Sequence, residues 1–592
     1  MLFLFALTLF TSSALLFLIQ PMFAKMALPL LGGTPAVWNT CVVFFQSALL
    51  AGYVYAHVST RYLGLRRQAV LHAVLLFTPL LALPIAIGPD WIPPSSSNPI
   101  PWLLRLLSVS VGLPFFVIST SAPLLQKWFA GTPHPSASDP YFLYRASNLG
   151  SMAALLAYPT ILEPTLRLRD QSWWWGLSYA VFVALTLLCA VVVWRHVKTA
   201  DKGVADASVV RQEQRATERL SVTRRVRWIA LSFVPSSLML GLTTHLTTDI
   251  AAVPLLWILP LTLYLLTFVL TFSPAPMLRH AWMVRALPLL LLPLLVVLLP
   301  ETVDPWWLVI PLNLVMFFVA AMVCHGELAR DRPSTAYLTE FYLWISVGGV
   351  LGGLFNALLA PLIFNRILEY PVALVFASLL LPPRSDRDKS AGLASTDILH
   401  PLALGAFVAL IGLALRLVDF KPGPSSVLLM FGAPALICFR FKRRPVRFGL
   451  GVGMIMLASV FYPNGLGRVL HVERSFFGVH RVVVDPARKY HVLLHGTTIH
   501  GRQSLDPARR AEALTYFYRT GPIGQLFTTL KGSRPHKVAV IGLGSGSLAC
   551  YAEAGQRWTF YEIDPEVERI ARDPKYFTFL RDSKARIDVV LG

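Results

Sequence analysis

Two groups of residues have types and spacings that could do chemistry. The sharper one lies near the C-terminus, where the apolar run Lys537–Ile541 leads into Gly542-Leu543-Gly544-Ser545-Gly546 and a second run, Trp558–Tyr561, ends in Glu562-Ile563-Asp564-Pro565. Glycines permit a tight turn and let backbone N–H groups approach a ligand at a helix N-terminus. An acid at the tip of the next strand can accept hydrogen bonds from both ribose hydroxyls, so a strand, a glycine loop, a helix and Glu562 together predict a nucleoside site. A dinucleotide fingerprint would place its third glycine where this chain has Ser547; the spacing of Gly542, Gly544 and Gly546 is that of S-adenosylmethionine-type sites.

The second group is polar residues inside apolar sequence, which are costly at bilayer depth. His245 and Asp249 stand four apart and share one helix face, and Glu340 has apolar sequence on both sides. If these three line a cavity, they predict a path for protons or cations. Gln20, Lys25, Gln46, Arg145, Asn148 and Asn356 are scattered near glycines and prolines, and His325 and Glu327 adjoin a basic turn. The bland reading of such residues is that they sit at helix ends and reach for the headgroups.

The bilayer is implied by composition. Of 592 residues, 55% are hydrophobic and 14% charged, against roughly a quarter charged in soluble domains. Apolar stretches of the roughly 20 residues needed to cross a bilayer follow one another from Leu2 to Pro463, giving a polytopic α-helical membrane protein of about fourteen or fifteen spans. The first, Leu2–Ile19, has no basic residue before it and no small-residue cleavage site after it, and reads as a retained span. Cys41, Cys189, Cys324, Cys438 and Cys550 lie far apart, which predicts neither a disulfide framework nor a metal site.

The net charge of +21 comes largely from turns. Arg61–Arg67, Arg195–Arg227, Arg279–Arg285, Arg330–Arg332, Arg384–Lys389 and Arg440–Arg447 are basic, whereas Pro89–Ile100 and Glu301–Pro305 hold no Lys or Arg. By the positive-inside rule the basic set and the N-terminus face the cytoplasm. Twelve spans to Leu381 return the chain inside, and three more apolar runs follow near 400–417, 425–439 and 448–463. An odd number would put the tail outside, so a cytoplasmic tail requires one of the short runs to be re-entrant. The expected location is a cell membrane crossed many times, with the N-terminus and the C-terminal domain in the cytoplasm; the bacterial inner membrane is what the resemblance given below implies.

A faint repeat divides the membrane part. Ser147 and Gly150 are answered by Ser346 and Gly349, and Pro35-Ala36-Val37-Trp38 by Val253-Pro254-Leu255-Leu256-Trp257. The domains expected are membrane halves 1–196 and 228–381, a basic linker 197–227 between them, extra membrane helices over 399–463, a β element with a helix over 464–535, and an incomplete α/β Rossmann-like unit over 536–592. Within the tail, Val479–Val484 and Tyr490–Leu494 read as strands, a helix is expected over Pro507–Tyr518, and Arg586–Gly592 as a third parallel strand that leaves an open edge.

At these residues the chain resembles bacterial membrane proteins in which a major-facilitator-like region is fused to a domain of the spermidine synthase (polyamine aminopropyltransferase) family. Gln20-Pro21-Met22, Leu28–Gly33, Ser147–Ser151, His325–Leu328 and Leu338–Leu343 are similar to that group's membrane signatures, and Leu493–Gly496 through His500–Gln503 to its strand and glutamine before the Rossmann part. The resemblance implies transfer of the aminopropyl group of decarboxylated S-adenosylmethionine to putrescine, with Gly542, Gly544 and Gly546 lining the nucleoside, Glu562 holding its ribose, Gln503 facing the donor, and Tyr516 or Tyr518 near the amine. The acidic base of that family lies beyond Gly592, so catalytic residues are unassigned and the sequence reads as truncated. His495 replaces an acid of the soluble synthases. The expected partners are lipid, a nucleoside and a small amine, with no nucleic acid and no metal. The rival readings are a polyamine or cation transporter or sensor with a nucleoside-binding regulatory tail, and a non-catalytic membrane scaffold.

Overall fold

The computed structural model describes the chain except residues 96, 139, 141–142, 201–219, 251–254, 274–276, 302–304, 335–336, 384–391, 419, 421, 463–464, 466 and 531–535, and the side chains of 138, 196–200, 249 and 250. Among the described residues, ten helices are long and apolar enough to cross a bilayer. They are α1 (Leu2–Leu31), α2 (Pro35–Leu81), α3 (Ile100–Ala130), α5 (Leu168–Arg195), α6 (Val222–Thr248), α8 (His280–Leu298), α9 (Trp306–Arg330), α10 (Leu338–Ile363), α12 (Thr396–Leu417) and α13 (Pro424–Arg443). Three shorter apolar helices join them, α7 (Ile258–Thr271), α11 (Glu369–Leu379) and α14 (Pro445–Phe461), and α4 runs over 143–165 against α1. The chain is a multi-pass membrane protein.

One of the ten is two helices. Gly64 leaves helical geometry at φ 69°, ψ 168°, and the rings of Tyr55 and His72 lie 6.1 Å apart. Seventeen residues of straight helix would separate them by about 25 Å. The chain therefore doubles back at Gly64 inside the basic turn, where only glycine takes a positive φ without penalty.

Glycines also set the closest helix contacts. A Cβ on Gly348 or Gly352 of α10 would strike the carbonyls of Ile229 and Phe233 on α6, and one on Gly150 of α4 would strike the carbonyl of Phe10 on α1. These small-residue faces let backbones touch, as apolar solvent requires when no hydrophobic force drives helices together.

Side-chain pairs fix which helix ends lie together. Arg224, Arg225 and Arg227 at the start of α6 pair with Asp331, Glu340 and Glu327, and His280 at the start of α8 bonds Glu327 at 2.8 Å. His57 bonds Thr339 at 2.9 Å. This is the basic end. Arg444, in the α13–α14 turn, and Arg447, in the first turn of α14, pair with Asp397 at the start of α12. Arg416 near the end of α12 donates to the carbonyls of Val460 and Tyr462 at the end of α14. Helices α12 and α14 thus run antiparallel with both pairs of ends tied together. Seventeen residues of α14 reach about 25 Å.

The tail has two sheets. An antiparallel meander, β1 (Arg468–Arg474), β2 (Val479–Val484), β3 (Tyr490–His495) and β4 (Thr498–Ser504), pairs in that order. A parallel sheet of β5 (Lys537–Ile541), β6 (Arg557–Glu562) and β7 (Arg586–Leu591) follows, with α15 (Pro522–Thr529) before it and α16 (Pro565–Arg572) between β6 and β7. Trp558, Phe560, Val567, Ile570 and Phe577 form its core, joined by Val482 and Leu493 from the meander. The helix expected over Pro507–Tyr518 is absent. That stretch forms turns and one 3₁₀ turn, Thr515–Phe517, with Thr515 at positive φ, and the helix starts instead at Pro522, a residue suited to a first helical turn.

Candidate functional site

A cavity of about 160 Å³ lies between the two membrane halves. Helices α1, α2, α3 and α4 contribute Ser13, Gln20, Gln46, Tyr53, Ser119, Tyr144, Ser147 and Asn148; α7 and α10 answer with Tyr264, Phe268, Tyr342 and Ser346. Hydroxyls and carboxamides supply its polarity, and no Asp, Glu, Lys, Arg or His is among the described lining residues. The aromatic rings form one wall: Tyr144 and Tyr342 are 5.1 Å apart, Tyr53 and Tyr342 6.3 Å, and Tyr144 and Phe268 5.8 Å.

Several of these polar atoms are unsatisfied. Gln46 donates through Nε2 to Ser236 Oγ at 3.0 Å, but its Oε1 has no partner. Ser346 Oγ has none, and Asn148 Nδ2 lies beside the Tyr144 hydroxyl without hydrogen-bond geometry. Ser13 and Ser147 bond each other at 2.5 Å. Buried polar groups in native proteins nearly always have partners, so acceptor and donor positions left open on opposite walls of a cavity describe a place for a small polar molecule or ordered water.

The repeat seen in the sequence converges on this cavity. Ser147 and Ser346 face it from α4 and α10, and Trp38 and Trp257 stack face to face at its far end, with centroids 3.3 Å apart and planes 17° from parallel. Asn39 beside Trp38 donates to Thr244 Oγ1 at 2.9 Å. The lining residues of α4 and α10 come from the first turns of those helices, at the basic end. The tryptophan pair stands one helical turn beyond the lining residues Val42 and Leu261, towards the opposite end.

The predicted intramembrane trio is distributed otherwise. Glu340 accepts from Arg225 and from Trp344 at the basic end. His245 stacks on Tyr370 at 5.6 Å near the other end of α6. The twenty residues of α6 between Arg225 and His245 span about 30 Å. Neither residue lines the cavity, and the Asp249 side chain lies outside the described residues. Of the scattered polar residues, Gln20, Gln46 and Asn148 do line it, while Lys25 pairs with Glu163 and Asn356 donates to Ser237.

In the tail the structure brings Gly542, Gly544, Gly546 and Glu562 together. All three glycines have φ in the left-handed region, at 89°, 56° and 79°. Glu562 accepts from the Leu543 N–H at 2.9 Å and from the Asp564 N–H at 3.0 Å, so both carboxylate oxygens serve backbone. A five-residue 3₁₀ turn, Ser547–Tyr551, replaces the expected helix after the loop. The reversal at Gly555, φ 87°, leaves no room for a longer one before β6.

Gln503 is apart from the loop: it donates to Thr578 Oγ1 and the Arg510 carbonyl and accepts from the Thr578 N–H. It lines a separate cavity of about 580 Å³ with Arg519, Phe527, Tyr551 and Asp582. Tyr516 and Tyr518 are about half exposed and line neither cavity. Beside the loop, sequence reading missed a buried cluster in which Asp564 accepts from Ser475 at 2.6 Å and bonds His480 at 2.7 Å, with the His480 and His495 rings 4.9 Å apart. Burial and the neighbouring His480 hold the His500 imidazole below its ordinary value, against a smaller opposing pull from Glu562.

No protein-family model matches the chain, and no curated protein matches it. Its membrane part is similar to solved transporter structures. An inward-open xylose transporter XylE from E. coli aligns at 15% identity over 65% of this chain and 97% of that one, with a TM-score of 0.43. The human organic anion transporter MFSD10 aligns at 15% identity over 63% and 94%, with a TM-score of 0.38.

Proposed function

We propose that this protein carries or senses a small polar solute in the cavity between its membrane halves. The observation that supports the reading is the set of open hydrogen-bond positions, Gln46 Oε1 and Ser346 Oγ, facing each other's half in a buried, uncharged, tyrosine-walled space. Such a lining suits a hydroxyl- or amide-bearing molecule. Aromatic faces also attract a soft monovalent cation. A polyamine with two or more charges would shed its water in a site whose described lining offers no carboxylate, which is unfavourable at bilayer depth. The cargo favoured is therefore neutral or singly charged.

The test is uptake by the purified full chain in liposomes, with a panel of labelled sugars, neutral amino acids and putrescine. Flux of a neutral solute that falls at least tenfold in Gln46→Ala supports the reading. Flux of putrescine alone, or binding unchanged by both Gln46→Ala and Ser346→Ala, refutes it.

A second reading concerns the tail. Three left-handed glycines after a parallel strand are the geometry of nucleoside loops, and this favours nucleoside binding there. Aminopropyl transfer from decarboxylated S-adenosylmethionine to putrescine rests on the family resemblance. What weighs against it is that Glu562 and Asp564 are engaged by the protein's own N–H, hydroxyl and imidazole groups. Equilibrium dialysis of the full chain against S-adenosylmethionine and methylthioadenosine tests the loop. Binding lost in Gly544→Ala supports it, and no binding of either ligand removes it.

A further inference from the structure

We infer that the C-terminal module, glycine loop included, stands on the extracytoplasmic side of the membrane, docked on the end of the bundle opposite the basic turns. Three contacts carry this. Arg474 on β1 forms a two-pronged pair with Glu369 at the start of α11, at 2.8 and 3.2 Å, and donates to the Arg366 carbonyl at 3.0 Å. Arg481 on β2 bonds Glu301, in the α8–α9 turn, at 2.8 Å. Gly592, after β7, lies against Ser95 in the α2–α3 connection.

All three membrane partners lie at one end. Glu301 follows α8 and Glu369 opens α11, whereas His280 opens α8 and Glu340 opens α10 in the ion-pair cluster of the other end. Arg416, bonded to the carbonyls of Val460 and Tyr462, places the exit of α14 at the module's end as well. Absolute direction then follows from charge. Arg61, Arg66, Arg67, Arg330, Arg332, Arg440, Lys442, Arg443, Arg444 and Arg447 mark the basic end, while among the described residues the other end has Lys25, Arg105, Arg167, Arg169, Arg366 and Arg416. The excess fixes the basic end in the cytoplasm.

The consequence is chemical. A ligand for the glycine loop must be a solute present outside the cytoplasm, and a donor confined to the cytoplasm never meets it. The inference concerns place alone, so it stands or falls separately from what the membrane cavity binds.

The experiment uses the full chain with Cys550→Ser, which removes the one cysteine that is not buried. A single new cysteine is placed by Ala487→Cys or Lys489→Cys in the exposed β2–β3 turn, or by Gly392→Cys before α12 at the basic end. Spheroplasts are treated with a membrane-impermeant maleimide before and after lysis. Full labelling of Ala487→Cys and Lys489→Cys in intact spheroplasts, with Gly392→Cys labelled only after lysis, supports the inference. Protection of both turn cysteines until lysis, or equal labelling of all three positions, overturns it.

Discussion

Replacing Glu369 with glutamine should release the tail from the membrane bundle. The Glu369 side chain is 0% exposed and the Arg474 side chain 9%, and the pair is bidentate. Removing one partner of such a pair strands the other charge in a dry site, at a cost of about 3–5 kcal/mol. At about 1.4 kcal/mol per factor of ten, that shifts the docking equilibrium by about two to three orders of magnitude. The exposed pair Arg509–Glu512, with side chains 55% and 39% exposed, provides the control, since pairs of that kind contribute about 0–1 kcal/mol. Hydrogen exchange of the β1 and β2 amides in the full chain reads the opening directly. Protection should fall sharply in Glu369→Gln, hardly change in Glu512→Gln, and recover in part in Glu369→Gln/Arg474→Met, where no charge is stranded. A loss below about 1 kcal/mol, or losses that simply add in the double variant, would refute the argument.

Three further outcomes are expected. Trp38→Ala removes a stack worth about 0.5–1.5 kcal/mol, so a Ser346→Cys reporter in the cavity should become about two- to tenfold more accessible from the module's side. Gly150→Val drives a side chain into the Phe10 carbonyl and should lower stability in detergent by about 1–3 kcal/mol, seen as an earlier thermal transition. His500 has a depressed imidazole value in the fold. The unfolded chain therefore binds the proton more readily, and module stability should be full above about pH 6.5 and decline as pH falls below it. His500→Gln should flatten that decline in a pH series of denaturation curves, and an unchanged slope would refute the assignment to His500.

The membrane region was legible because apolar runs of helical length announce themselves whatever they pack against. The turn read at Arg61–Arg67 is where Gly64 leaves helical geometry, while ten helices among the described residues, not fourteen or fifteen, are long and apolar enough to span. Strand β5, the glycine loop and the acid at the end of β6 were readable from β-branched runs and glycine spacing. The helix after the loop was not, because Gly555 reverses the chain too soon. The cavity was half visible: Ser147, Ser346 and the tryptophan echo marked symmetric positions, but pairing Trp38 with Trp257 needs two segments over two hundred residues apart to meet. The charged candidates lie elsewhere than the cavity. Glu340 meets Arg225 at a helix end and His245 stacks on Tyr370, while the described cavity lining is amides, hydroxyls and apolar groups.

The last three helices have a mechanical consequence. Arginines clamp them to one another at both ends through Asp397 and through the Val460 and Tyr462 carbonyls, and they pack on α8 and α11 of the second half. That half also holds Glu301 and Glu369, the tail's two anchors. Helices α6 to α14 and the module therefore form one heavy body, and the first half, α1 to α5, is the light arm. If the two halves rock about the cavity, the light arm swings while the rest stays still, and the Trp38–Trp257 stack and the touch of Gly592 on Ser95 are the places where that movement registers.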